Sequence, residues 1–153
     1  MLGVEVALTA VALAMGAPAD SQVNCLNKAD YRKKALTHFM FVPAAFAYVG
    51  GDSFFQLKRC KRLVRVSLQY QDDFDKRPAY RPKQTARDQW TFAHEVSHMR
   101  GEYREQVASC EGVRQVKLVS RLLGVPKWDR LYLAKIAGKL TKNFMADAYR
   151  CVR

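Results

Sequence analysis

Apolar residues recur at helical spacing along most of this chain. Between Asn27 and Met40, the residues Tyr31, Ala35, Leu36, Phe39 and Met40 share one side of a 3.6-residue period, and Pro43 stops the run, which predicts a helix. A second helical pattern covers Glu102 to Leu123, with Val107, Cys110, Val113, Val116, Leu118 and Leu122 apolar, and Gly124-Val125-Pro126 ends it. A last helix or helix pair is predicted from Lys127 to Tyr149 on Trp128, Leu131, Leu133, Ile136, Leu140 and Phe144. One stretch follows another rule: Val64, Val66, Leu68 and Tyr70 alternate with Arg65, Ser67 and Gln69, the pattern of a half-buried strand. Ala44 to Val49, ahead of Gly50-Gly51, is an apolar run whose period decides nothing. Gln71 to Lys83 holds three aspartates and two prolines and predicts a surface loop. Nothing around Asp72, Asp73 and Asp75 resembles a calcium loop, so they are read as solvated charges. The expected fold is α+β, mainly α, with a small β-sheet.

At 153 residues, 49% of them apolar and 26% charged, the chain suits one domain with a modest core. Its opening run, Val4 to Ala17, carries a single charge, Glu5, and leads into Ala17-Pro18-Ala19. This predicts a signal peptide over residues 1–19, cut before Asp20, with residues 20–153 as one compact domain. No basic residue precedes the run, which is atypical of a leader; a buried helix is the other reading. The four cysteines, Cys25, Cys60, Cys110 and Cys151, all follow that point, an even number suited to two disulfides in an oxidising compartment. Pairing Cys25 with Cys60 and Cys110 with Cys151 is favoured, because the second bridge would pin the C-terminal end onto the preceding helix. A secreted or periplasmic protein with no transmembrane span in the mature chain is therefore expected. Lys and Arg number 26 against 14 Asp and Glu, a net charge of +12, which attracts anionic surfaces or polymers. No helix-turn-helix, zinc-finger or stacking signature accompanies the charge, so sequence-specific nucleic-acid binding is not expected.

The strongest chemical signal is Phe92-Ala93-His94-Glu95-Val96-Ser97-His98. The chain has only three histidines, and two of them stand in this His-Glu-x-x-His pattern. Residues four apart on a helix share a face about 6 Å apart along the axis, so His94 and His98 can converge on one zinc ion. Glu95 then stands beside the metal, where a carboxylate can take a proton from water. Arg81-Pro82 blocks helix upstream, Thr85 to Asp88 reads as the start, and Trp90, Ala93 and Val96 supply an apolar stripe. A catalytic zinc needs a third protein ligand, and eight residues of straight helix climb about 12 Å, so the chain must bend to provide it. Gly101 is the natural break, and Glu102, Glu105 and Glu111 are the candidates beyond it.

Residues 94–110, His-Glu-Val-Ser-His-Met-Arg-Gly-Glu-Tyr-Arg-Glu-Gln-Val-Ala-Ser-Cys, resemble the small zincin metallopeptidases of the gluzincin type. In those proteins the paired-histidine helix is followed by a helix carrying Glu-x-x-Ala, matched here by Glu105-Gln-Val-Ala108. The resemblance covers roughly residues 85–124 and implies a zincin-like pair of active-site helices. It implies His94, His98 and Glu105 as zinc ligands, Glu95 as general base, and a peptide or protein substrate. Six residues separate His98 from Glu105, fewer than in the larger gluzincins, and no His-x-x-Gly-x-x-His follows as in metzincins. Zincins also take an extended peptide along an edge strand, for which residues 63–70 are the natural choice. An oxyanion donor is expected too; Tyr103 is the first candidate, then Arg100 and His38. From another class, the chain could be an inactive or structural basic exported protein that binds an anionic surface.

Overall fold

Three short strands set the frame in the computed structural model, which describes residues 2–69 and 81–144. Strands β1 (Val23–Leu26), β2 (Ala45–Ala47) and β3 (Ser53–Gln56) form a sheet in the order β1-β3-β2. β1 runs parallel to β3 with Val23 opposite Ser53, and β2 runs antiparallel with Ala45 opposite Phe55. Around them lie α1 (Leu2–Ala14), α2 (Lys28–Leu36), α3 (Leu57–Gln69), α4 (Pro82–Met99), α5 (Glu105–Leu122) and α6 (Lys127–Phe144). The fold is α+β and mainly helical, as the sequence pattern predicts.

Alternation along β3 divides the core. Phe55 faces the main cluster with Leu8, Leu63, Phe92 and Val96, while its neighbour Phe54 faces Tyr31, Ala35 and Phe46 under α2. Another cluster, Val66, Ala86, Val116, Val125, Leu133 and Ala137, joins α3 through α6. Helix α2 is capped by Asn27, whose side chain accepts from the Asp30 amide at 2.9 Å, but it stops at Leu36 rather than Met40. The Phe39 ring turns back onto Phe46, 5.4 Å between centroids, and the chain continues to Pro43, whose carbonyl accepts the Tyr31 hydroxyl at 2.7 Å.

Residues 63–69 of the expected strand at 63–70 are helix instead. Leu57, Cys60, Leu63 and Val64 recur at spacings of three and four, so the helical face begins upstream of the alternating window. That face packs Cys60, Leu63 and Val66 inward, and Arg62 makes a two-pronged pair with Asp88 of α4 at 2.7 and 2.9 Å. The actual strands are three or four residues long, too short to carry a period of their own. Cys25 of β1 is bonded to Cys60 of α3, closing a separation of 35 residues. Chain entropy values such a loop at roughly 3–4 kcal/mol. Cys151, the expected partner of Cys110, lies outside the described residues, as do Tyr70 and the loop segment 71–80.

Residues 2–14 form α1, and α1 packs as part of the core. Leu8, Val11, Ala12 and Met15 are buried. Polar side chains of α1 also meet β1: Glu5 accepts from the Cys25 amide at 2.7 Å and Thr9 from the Val23 amide at 3.0 Å. No helix among the described residues is long and apolar enough to cross a membrane. Deleting a large buried side chain costs about 2–5 kcal/mol, and a whole domain has only about 5–15 kcal/mol. A chain beginning at Asp20 should therefore lose its cooperative urea transition, while the chain with α1 keeps it.

Candidate metal centre

Helix α4 starts three residues before the expected cap. Pro82 occupies its first turn, where a missing amide hydrogen costs nothing, and Arg81 caps it without a side-chain bond, so Thr85 lies inside the helix. The helix then runs through the interior, with Phe92, Ala93, Val96 and Met99 in the main core and Trp90 against the α5–α6 cluster. His94, Glu95 and His98 are all buried.

The end of α4 decides the geometry. Gly101 takes φ +105°, its amide donates to the His98 carbonyl at 2.9 Å, and the Glu102 amide donates to Ser97 at 3.1 Å. This paired closure needs a left-handed residue, which glycine adopts without strain. It reverses the chain and brings the Glu102 carbonyl to 2.5 Å from His98 Nδ1. Three residues later α5 begins at Glu105 and runs back along α4. Gly112 permits the close approach: a Cβ there would stand 3.2 Å from the His94 amide nitrogen and 3.0 Å from Trp90 Nε1. Trp90 Nε1 donates to the Ser109 carbonyl at 3.1 Å, and Ser109 Oγ lies 3.2 Å from His94 Nδ1.

Both Nδ1 atoms are thus engaged, His94 by Ser109 and His98 by the Glu102 carbonyl, and both Nε2 atoms are turned toward Glu105. The two Nε2 atoms are 3.1 Å apart, and Glu105 places one oxygen 3.0 Å from His94 Nε2 and the other 3.2 Å from His98 Nε2. Ligands about 2.0–2.1 Å from a tetrahedral zinc lie about 3.3 Å from one another, so this set fits that ion. Engaged Nδ1 atoms are the usual outer support of histidine ligands. His94, Glu95 and His98 also bring their potential ligand atoms within 4.8 Å. Of the two carboxylates, Glu105 completes the tighter triangle, while Glu95 has no hydrogen-bond partner among the described residues. Glu105 therefore fits a third-ligand position better than Glu95 does.

Electrostatics divide the groups in the same way. Burial raises the Glu95 carboxyl to about 7, against the opposing pull of His94 and His98. Burial disfavours a charged His98, but the Glu105 carboxylate, the Glu102 carbonyl and Glu95 outweigh it and push His98 up to about 9. Hydrogen bonds from His94 and His98 hold Glu105 far below the usual carboxylate range.

The other candidates are engaged elsewhere. Glu102 turns its carboxylate to Arg104, with bonds of 2.8 Å, and contributes only its carbonyl to the centre. Glu111 accepts from Ser97 Oγ and lies 3.8 Å from Arg100. Tyr103 is 73% exposed, with the Arg104 guanidinium 5.8 Å from its ring. His38 bonds to the Tyr48 hydroxyl at 3.0 Å. Ser109 and Gly112 were not singled out by the sequence reading, although they lie four and seven residues after Glu105 and so share its face of α5. Comparison with protein-family models, curated proteins and solved structures found no match for the chain.

Glu105→Ala should weaken zinc affinity by more than about a hundredfold, because two histidines alone make a poor zinc site. Glu102→Ala and Glu111→Ala should each change it by less than about tenfold, since neither carboxylate joins the triangle. Competition with a chromogenic chelator measures all three.

Proposed function

We propose that this chain is a zinc-dependent peptidase of the gluzincin type, in which His94, His98 and Glu105 hold the metal and Glu95 is the general base. The carrying observation is the triangle of two Nε2 atoms and the Glu105 carboxylate with sides of 3.0 to 3.2 Å, beside a buried Glu95. When bound there, zinc supplies an electrophilic centre that acidifies water and polarises a carbonyl.

The protein's own groups supply the rest. A carboxylate with a pKa near neutrality accepts a proton from the attacking water and returns it to the leaving amine nitrogen, the role that burial of Glu95 prepares. Ser109 and the Glu102 carbonyl fix the imidazole orientations. The expected substrate-pairing segment moves: residues 63–69 are helical, and the edge strand beside α4 is β2. The turn after β2 is tied to the site, since the Gly50 amide donates to the His98 carbonyl at 2.9 Å. An extended peptide pairing with Ala45–Ala47 would run beside the motif helix. The Cys25–Cys60 bridge suits a secreted or periplasmic setting. The competing reading, an inactive basic binding protein, predicts no zinc in protein purified without added metal; the peptidase reading predicts about one ion per chain.

Glu95→Gln should abolish peptide hydrolysis and leave zinc bound, because the amide keeps the shape and cannot take the proton. Full activity in that variant, measured on a quenched fluorescent peptide library, would remove Glu95 from the mechanism.

Zinc binding should also release protons. His98, at about 9 in the metal-free protein, is protonated at neutral pH and must become neutral to bind, and Glu95, at about 7, is half protonated. Titration calorimetry at pH 7 in buffers of different ionisation enthalpy should give between about one and about 1.5 protons per zinc. Affinity should fall as pH drops below about 9, by roughly tenfold per unit while His98 alone titrates.

A further inference from the structure

On the outer side of α5 and α6, away from the histidines, lies an open groove of about 390 Å³. Its cations are Arg114, Lys117 and Arg121 from α5 and Lys127 and Arg130 from α6. None forms an ion pair with a carboxylate among the described residues, and Arg130 is held in place by donating to the Val125 carbonyl. The apolar part of the lining is aliphatic, Leu118 and Leu131. Beside it on α6, Trp128 is 81% exposed, and Leu131 and Tyr132, three and four residues on, are also exposed. These three therefore share one face of the helix.

We propose that this groove and its aromatic rim dock the protein on anionic phospholipid surfaces. Five cations in one depression, none of them ion-paired among the described residues, are complementary to headgroup phosphates, and each Lys or Arg near such a surface contributes about 1 kcal/mol. Trp and Tyr prefer the headgroup level of a bilayer, where an apolar ring and a polar tip are both satisfied. The aliphatic lining separates a lipid from a nucleic acid: stacked bases need aromatic faces inside the groove, and here the aromatics stand at its edge while Leu118 and Leu131 line it. The helices carrying the groove do not span; they would lie on the surface. This surface is independent of whether the metal centre hydrolyses peptides.

The test is co-sedimentation with vesicles of phosphatidylcholine containing about 30% phosphatidylglycerol, against vesicles of phosphatidylcholine alone, with tryptophan emission recorded in parallel. Binding is expected only to the anionic vesicles, with a blue shift that Trp128→Phe removes, since Trp90 is already packed against Ser109. Changing Arg114, Lys117 and Arg121 together to Gln should weaken binding about a hundredfold, at about fivefold per cation. A matched triple on α2, Lys28, Arg32 and Lys33 to Gln, lowers the net charge equally and should change affinity by less than about fivefold. All six positions are exposed, so both triples should retain the fold. Equal loss in the two triples would reduce the effect to overall charge and overturn the proposal. A blue shift that survives Trp128→Phe, or tighter groove-dependent binding to a single-stranded oligonucleotide than to the anionic vesicles, would overturn it as well.

Discussion

Helices α4 and α5 lie so close at position 112 that a Cβ there would meet Trp90 and the His94 amide at 3.0–3.2 Å, and the candidate centre depends on that approach. A helix cannot bring a third ligand to two of its own histidines, so the ligand must arrive on a second helix whose axis is set by whatever separates the two. A Cβ at Gly112 would press on Trp90 and the His94 backbone, which would have to give by a few tenths of an ångström next to the helix that carries Glu105. The reversal at Gly101 fixes the other end of the same contact. Between these glycines, Ser109 and the Glu102 carbonyl reach the inner nitrogens of the two rings, so helix packing and ring orientation are set by one segment.

The field at Glu95 extends beyond the histidines: after His94, His98 and Glu105 it includes Arg59, and Glu95 in turn acts on Tyr31. Two turns upstream on α4, Asp88 pairs with Arg62 and approaches Arg59 to 3.4 Å. This pairing joins α3 to α4 and holds a guanidinium near the interior side of the motif helix. The Glu95 carboxylate is thus kept buried, with positive groups near enough to moderate the effect of burial. Buried, partly compensated carboxylates of this kind occur where proton transfer near neutral pH is needed.

The motif was legible because its chemistry is local: His94, Glu95 and His98 are close in sequence, and one helix is enough to align them. The turn at Gly101 was legible for the same reason, a single residue whose backbone freedom the chain needed. The sheet was not. Strands of three or four residues carry no period, and their identity comes from pairing across gaps such as Val23 with Ser53, which no local window contains. The same limit produced the misread helix α3, where alternating Val64, Val66 and Leu68 outweighed a helical face that began at Leu57. Ser109 and Gly112 became meaningful only once α5 was known to lie against α4, although their spacing from Glu105 already placed all three on one face.

Helix α1 has a consequence for how the sheet meets other chains. Strand β1 would expose two outward amide hydrogens, at Val23 and Cys25, and Thr9 and Glu5 occupy both. An occupied edge cannot template a foreign strand, so self-association through that side is blocked without charged gatekeepers on the strand itself. The sheet is left with a single side on which another chain can add, next to α4. Growth into a continuous intermolecular sheet needs two such sides, and this protein offers one.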